Sequence, residues 1–441
     1  MPGVLELLPL EQVVFQSMVE TVRSGFERFG FLPIETPAME FTDILLTKSG
    51  GETERQVFFV QSTGARAQGK DPQLGLRFDL TVPLARYVAE HEADLSFPFR
   101  RYQIQSVFRG ESPQQGRFRE FVQCDIDVVA KDTLDLAYDA EIPAVIAAVF
   151  TDLAIGPFTI RINNRKVLRG LLEEKGVDDP DQQTAMLREI DKLARRGAEA
   201  VAESVASLGL PEAAGLVDLI STRPAGHHEA QDLLNRIEGD NPTLSEGISE
   251  LRRVMEGVVS QGVPADRFAL DLSIARGLDY YTGTVYETRL DQHEGIGSIC
   301  SGGRYDDLAG HYSGSRLPGV GISIGLTRLY WQLREAGLIP KGGSSIRVLV
   351  TMMDSLEYAV GIGSRLRAAG INTEVVLEQA KLGRQLKYAD RSGIGIAVLA
   401  GSQERARSAV VVRDMIGQTQ NEVAEDDLVD EVRRLLASRS V

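Results

Sequence analysis

The chain has 441 residues, enough for two to four domains and several buried cores. A quarter of the residues are charged, 43% are apolar and the net charge is −15, an ordinary balance for a globular protein. The sequence shows neither a basic-then-apolar leader nor an apolar run of roughly 18–20 residues, so the expected setting is cytoplasmic, with no membrane partner.

Taken in chain order, Val14, Met18, Val22 and Phe26 recur at helical spacing and predict an amphipathic helix ending at Gly30, with Phe31–Pro37 extended after it. Val57–Val60 and Leu76–Leu80 read as short strands, and Val82–Ala89 as a helix. Residues 99–109 and 118–129 predict two strands joined by the polar loop Gly110–Arg117, a long hairpin arm. Phe158–Ile162 alternates as a strand. From Arg165 to about Gly262 the chain is rich in Ala, Leu, Glu and Arg at helical spacing and reads as an inserted helical domain. Strand patterning resumes over Phe268–Ile274 and Tyr280–Thr288, a glycine-rich stretch covers 295–325, and a helix runs from Gly325 to near Gly337. Ile339–Ser345 is a linker by composition. Beyond it come strand Val348–Met352, helix Leu356–Ala368, strand Thr373–Leu377, helix Gly383–Ser392 and strands Ile394–Leu399 and Ala409–Arg413, the pattern of a compact α/β domain.

Some features carry little chemistry. Cys124 and Cys300 lack metal-ligand spacing and suit a reducing compartment. Adjacent His227 and His228 read as a solvated loop. Gly64–Lys70 nearly spells a phosphate loop, but Asp71 stands where the magnesium-binding hydroxyl belongs, leaving a flexible surface loop as the expectation. Gly319–Gly325 has one residue too many for a dinucleotide fingerprint. The acidic net charge argues against RNA only at long range, because phosphate contact depends on local patches. Residues 380–413 hold Lys381, Arg384, Lys387, Arg391, Arg405, Arg407 and Arg413 against two acids, and 414–431 hold seven acids and no base.

Five segments carry the chemistry. They are Arg28–Pro37; Phe108-Arg109-Gly-Glu111 with Gly116-Arg117-Phe-Arg119-Glu-Phe121; Gly325-Leu-Thr-Arg328; Ala275-Arg276-Gly-Leu-Asp-Tyr280-Tyr281 through Glu287; and Gln123-Cys-Asp-Ile-Asp127. The first three resemble the three motifs of class II aminoacyl-tRNA synthetases, and the last two resemble histidyl-tRNA synthetases specifically. The resemblance implies a multidomain α/β and α+β protein. An antiparallel-sheet catalytic domain (1–164 and 263–338) would be interrupted by the helical insertion (165–262), and a linker (339–345) would lead to an α/β anticodon-binding domain (346–441). It also implies a homodimer formed through the first motif.

The implied reaction is histidine activation with ATP, followed by transfer to tRNA(His). The carboxylate attack builds charge on the α-phosphate, which a fixed guanidinium stabilises; losing one such donor typically costs about 3–4 kcal/mol of barrier. By resemblance Arg109 bridges carboxylate and α-phosphate, and Arg276 sits where related enzymes often hold magnesium. Glu111 meets the adenine amino group, Phe121 stacks on the ring, and Arg117 and Arg328 reach the γ-phosphate. Tyr281 and Asp127 hold the imidazole, whose two nitrogens need an acceptor on one side and a second polar partner opposite. Tyr280 and Gln123 complete the histidine contacts, while Asp79 and Thr81 serve the α-ammonium. Asp79 also fits a helix cap before Val82, and Tyr280 fits core packing. Gln114 in the hairpin loop matches the position linked to the extra 5′ guanosine of the tRNA. ATP with Mg2+ is implied, and no organic cofactor. A regulatory relative of ATP phosphoribosyltransferase would share the fold, but Arg109, Arg117, Arg276 and Arg328 are all retained.

Overall fold

The structure, a computed structural model, describes residues 2–46, 56–111, 116–224, 226–275, 277, 280–307, 312, 314–339 and 344–438. Gln114, Arg276 and most of the 339–345 linker therefore lie outside the described residues. The chain forms two compact units, residues 1–5 with 19–339 and residues 6–18 with 340–441.

Helix α1 (Pro9–Arg28) buries Val22 and Phe26 and stops at Gly30, whose φ of +76° lets the Phe31 N–H donate back to the Phe26 carbonyl. Then come β1 (Leu32–Pro33), β2 (Met39–Phe41), α2 (Thr42–Leu45), β3 (Phe58–Val60), α3 (Thr63–Ala67) and β4 (Leu74–Leu76). Two expectations change here. Residues 63–67 form a short helix capped by the Ser62 hydroxyl, not a loop. The strand expected over Leu76–Leu80 lies earlier, because the Arg77 guanidinium donates to the Thr36 carbonyl and Asp79 caps α4 (Thr81–Glu90), which pulls 77–80 out of the ladder.

Strands β5 (Phe99–Phe108) and β6 (Glu120–Val129) form the hairpin arm. Next are α5 (Ala137–Asp152) and β7 (Phe158–Asn164), then the helices α6 (Arg165–Glu173), α7 (Pro180–Ile190), α8 (Leu193–Arg196), α9 (Ala198–Ser207), α10 (Ala213–Ser221), α11 (His227–Ile237) and α12 (Pro242–Ser260). The histidine pair opens α11 instead of lying in a loop, with exposed His228 beside Asp232, one turn on. Gly170 on α6 and Gly247 on α12 let these helices touch backbone to backbone; a Cβ on Gly170 would stand 2.5 Å from the Leu244 nitrogen. The unit closes with β8 (Phe268–Leu270), β9 (Thr284–Leu290), β10 (Ser298–Tyr305), β11 (Gly319–Gly325) and α13 (Leu326–Glu335).

One eight-stranded sheet in the order β1-β5-β6-β11-β10-β9-β7-β8 organises this unit, antiparallel except for the β1–β5 and β7–β8 pairs. Alternation sorts its faces. Cys124, Ile126, Val128, Ile322 and Ile324 turn to one side and are fully buried or nearly so, with the apolar α5 packed against that side. Burial of each such aliphatic side chain contributes roughly 1.5–3 kcal/mol. Arg101, Gln123, Asp125, Asp127 and Ser323 turn to the other side, which is polar. A separate three-stranded sheet, β2-β4-β3, accompanies it.

The second unit contains β12 (Val348–Val350), α14 (Leu356–Ala368), β13 (Thr373–Val375), α15 (Leu382–Arg391), β14 (Ile396–Leu399), α16 (Ser402–Ala406), β15 (Ala409–Asp414), β16 (Thr419–Ala424) and α17 (Leu428–Ala437). Its sheet runs β13-β12-β14-β15-β16, parallel in the first three strands and antiparallel in the last. Val348, Val350, Ile396, Val398, Val410, Leu366 and Leu428 form its core. The sequence reading missed β16, α16 and α17 there, and β2, α2, α5, β10 and β11 in the first unit.

Candidate functional site

The polar face of the large sheet is set by register. Gln123, Asp125 and Asp127 occupy alternate positions of β6, opposite Gln105, Gln103 and Arg101 on β5 and Gly325, Ser323 and Gly321 on β11. Over this face opens a cavity of about 330 Å³, lined among others by Arg109, Glu111, Arg117, Phe121, Gln123 and Arg328. Three of the four predicted guanidinium groups thus converge on one cavity although they come from β5–β6 and α13. Arg109 leaves the end of β5 with its Nε donating to the Phe78 carbonyl (3.1 Å) and its Cζ 5.0 Å from the Phe121 ring centroid. Arg117 reaches Glu111 at 3.5 Å across the hairpin. Arg328 is set by the start of α13, which is pinned to β6 where the Val122 N–H donates to the Thr327 hydroxyl (2.8 Å).

Farther along the same strands, glycines on the polar face leave a hollow in the sheet that the Tyr281 and Tyr305 rings and the Asp127 carboxylate line and fill. A Cβ on Gly303 would lie 2.9 Å from the Tyr281 ring, on Gly319 2.4 Å from the Tyr305 hydroxyl, and on Gly321 2.3 Å from Asp127 Oδ1. Each glycine therefore vacates space that an aromatic ring or a carboxylate occupies. Tyr280 packs edge-on against Tyr281 and tilted against Tyr305, both at 5.2 Å between centroids. The Tyr281 N–H donates to the Gly277 carbonyl (2.9 Å), and Gly277, with φ +65°, has no Cβ to clash with the Tyr281 ring. The Tyr305 hydroxyl donates to Asp127 Oδ1 (2.9 Å), and the Arg101 guanidinium lies 2.5 Å from Asp127 Oδ2.

Electrostatics tie the remaining residues to this hollow. Burial raises the Asp127 carboxyl to about 6, with Arg101 and the Tyr305 hydroxyl opposing it and Asp79 adding to it. Burial likewise raises Asp125 to about 7 against Arg101. Asp79 is raised by desolvation and opposed by the Val82 N–H, Arg109, the Thr81 N–H and Arg101. Asp79 caps α4 through the Val82 N–H (3.0 Å), the helix-cap alternative, and it also lies within the field of Arg109 and Arg101. Burial and the nearby Asp127 keep the phenols of Tyr280 and Tyr281 protonated. Gln123 donates to the Ser323 hydroxyl (2.8 Å), leaving its Oε1, Asp125 Oδ1 and Arg101 Nε buried without a hydrogen-bond partner among the described residues. Such unpaired polar atoms are costly unless a polar ligand meets them.

Sequence reasoning missed Arg101, Asp125, Tyr305, Ser323 and the three glycines. Asp125 shares its strand parity with Gln123 and Asp127 and could have been found by period-two counting. The others need the register of the sheet.

Residues 3–329 match a family model described as histidyl-tRNA synthetase, and residues 345–435 match an anticodon binding domain. The chain is 55% identical to a histidine–tRNA ligase of Xanthomonas axonopodis pv. citri (strain 306), covering 100% of this chain and 98% of that protein. It is 56% identical to one of Stenotrophomonas maltophilia (strain K279a), covering 97% and 96%. Among solved structures, a histidyl-tRNA synthetase from Nostoc sp. PCC 7120 superposes with a TM-score of 0.88 at 39% identity, covering 98% of each chain.

Proposed function

The chain belongs to the histidyl-tRNA synthetase family, and from that premise we propose how its own residues divide the work. The overall reaction is settled by family: ATP and L-histidine give histidyl-adenylate and pyrophosphate, and histidine then passes to the 3′ end of tRNA. Our reading assigns the 330 Å³ cavity to ATP and the glycine-made hollow to the imidazole. Arg109 holds the histidine carboxylate against the α-phosphate, with Arg276 as its partner in stabilising the charge that develops there. Arg117 and Arg328 grip the γ-phosphate, Glu111 accepts from the adenine amino group, and Phe121 stacks on the ring. Asp127 and Tyr281 clasp the two imidazole nitrogens, Tyr280 packs behind them, and Asp79, Thr81 and Gln123 receive the α-ammonium. Gln114 meets the acceptor end, and the partner is tRNA(His).

Magnesium enters as the counterion of the ATP substrate. Among the described residues no three His, Cys, Asp or Glu side chains group as a resident metal site. No helix is long and apolar enough to cross a membrane among the described residues, and a cytoplasmic setting is proposed with it. We further propose a homodimer joined beside the first motif, where one face of the β2-β4-β3 sheet is wholly apolar. The domain division of our sequence reading stands as part of the same proposal, with the basic outer face of α15 directed to the anticodon arm.

The observation that carries the reading is the convergence of Arg109, Arg117 and Arg328 on a cavity that also takes in Gln123, which shares its strand face with Asp127. Isotope exchange between pyrophosphate and ATP tests it. Exchange should appear with L-histidine and stay at background with proline, threonine or glycine. Equal exchange with any of those would overturn the pocket assignment.

A further inference from the structure

Beneath the hollow lies a charged group that the family-derived roles do not use. Arg101 is fully buried, its relative exposure being 0%, on the same sheet face as the three site residues of β6. Its guanidinium lies 2.5 Å from Asp127 Oδ2 and 3.5 Å from the Asp125 carbonyl, to which Nη1 donates. Nε has no hydrogen-bond partner among the described residues, and Nη2 meets Asp127 Oδ2 as an ion pair without hydrogen-bond geometry. A buried arginine with an unsatisfied nitrogen is expensive, so hydrophobic packing alone does not account for it. The groups around it explain its charge. Asp127 and Asp125 lie on β6, Asp79 comes before α4, Tyr305 is on β10, and Tyr280 and Tyr281 lie between β8 and β9; the facing residue of β11 is uncharged Gly321. Among these, Arg101 is the cation on which both β6 carboxylates depend.

Resting on the assignment of this hollow to histidine, we propose that Arg101 is the positioning residue of the pocket, holding Asp127 charged and aimed at the imidazole ring. The geometry divides the carboxylate. Oδ2 faces Arg101, Oδ1 accepts from the Tyr305 hydroxyl, and the missing Gly321 Cβ leaves room for this arrangement. With both oxygens fixed, the remaining lone-pair directions point where a ring N–H can donate. Histidine is thus read by a pair of elements, a visible carboxylate and a hidden guanidinium that keeps it an acceptor. Without Arg101, Asp125 and Asp127 lose the cation that opposes them in a dry site, and Asp127 takes up a proton near neutrality.

The test uses the full chain and the histidine-dependent exchange assay from pH 6 to 9, with each KM divided by the wild-type value at the same pH so that titration of free histidine cancels. For Arg101→Met and Arg101→Gln, the ratio for histidine should be about 10- to 100-fold at pH 7, the loss of one charge-assisted hydrogen bond. It should fall at least several-fold by pH 9 as Asp127 ionises, while the KM for ATP stays within about threefold. Arg101→Lys, which keeps the charge, should restore a flat ratio and serves as the folded comparison if a neutral variant aggregates; a steep ratio for the lysine variant would count against the proposal. An unchanged histidine KM in the neutral variants, or one raised equally at every pH, overturns the role and reduces Arg101 to filling space. Absence of histidine-dependent exchange in the wild type would sink the pocket assignment itself, and the inference with it. Normal wild-type exchange with flat variants sinks the inference alone.

Discussion

Asp79, Asp125 and Asp127 bring more negative charge into the hollow than Arg101 neutralises, and this should be visible in stability. The carboxyl of Asp125 sits at about 7 in the folded chain against an ordinary value of 3.8, with burial as the main cause. Between those two values the folded state binds the extra proton and the unfolded state does not, so stability falls as pH rises through the window. Removing the ionisable group removes that cost. Asp125→Asn should therefore melt higher than wild type at pH 8, by on the order of a few kcal/mol of stability and several degrees, with the gap closing toward pH 4. Thermal melts at both ends check it, and a variant that melts lower at pH 8 would contradict the sign. Activity should drop in the same variant, because a polar site trades stability for ligand contacts. At this scale the sequence was half legible. Asp127 and Tyr281 stand in readable strings, but Arg101 becomes a site residue only through the β5–β6 register, fixed by how the hairpin closes.

Elements were legible where they obey one periodicity and illegible where function overrides it. Helix Leu356–Ala368 has the bounds its pattern predicts. By contrast β10 and β11, with Gly302, Gly303, Gly319, Gly321 and Gly325, have poor strand propensity and read only as a glycine-rich stretch. They are strands because a deep sheet buries them, and Gly303, Gly319 and Gly321 are glycine because the Tyr281 and Tyr305 rings and the Asp127 carboxylate take the room. Helix α5 was missed for the opposite reason: it is apolar nearly all round, buried, and contains Pro143. The β2-β4-β3 sheet shows what an uncovered element implies. Met39 and Phe41 are 50% and 59% exposed, and register puts them on one face with half-buried Leu74, Leu76, Phe58 and Val60. A face this apolar is where the proposed dimer would join. Light scattering should give a mass about twice 48.2 kDa, and the pair Met39→Glu and Phe41→Glu should shift it toward the monomer. A wild-type monomer at micromolar concentration would remove the dimer from the proposal.

The molecule as a whole carries a charge of −15 yet must hold a polyanion. The resolution lies in where the charge sits, because counterion release depends on the contact surface and not on the net sum. On α15 and its cap, Lys381, Arg384, Lys387 and Arg391 are all exposed, and the spacing of the last three puts them along one side of the helix. Neighbouring basic groups are otherwise engaged: Arg405 lies over the Tyr358 ring and Arg407 pairs with Glu422. The acids that follow lie on other elements: Asp414 on β15, Glu422 on β16, Glu425–Asp427 in a short 3-10 turn, and Asp430 and Glu431 on α17. Within the basic string at 380–413, Arg405 and Arg407 have partners while a side of α15 can meet phosphate, a distinction that the linear sequence could not make. Reversing Arg384, Lys387 and Arg391 to Glu together should raise the KM for tRNA in aminoacylation by at least about tenfold at 0.1 M salt and flatten its salt dependence. Pyrophosphate exchange should stay at the wild-type rate, since the adenylate cavity belongs to the other unit. Charging that survives the reversal unchanged would move the RNA contact off α15, and a parallel loss of exchange would mean that the substitutions act on the fold and not on the tRNA.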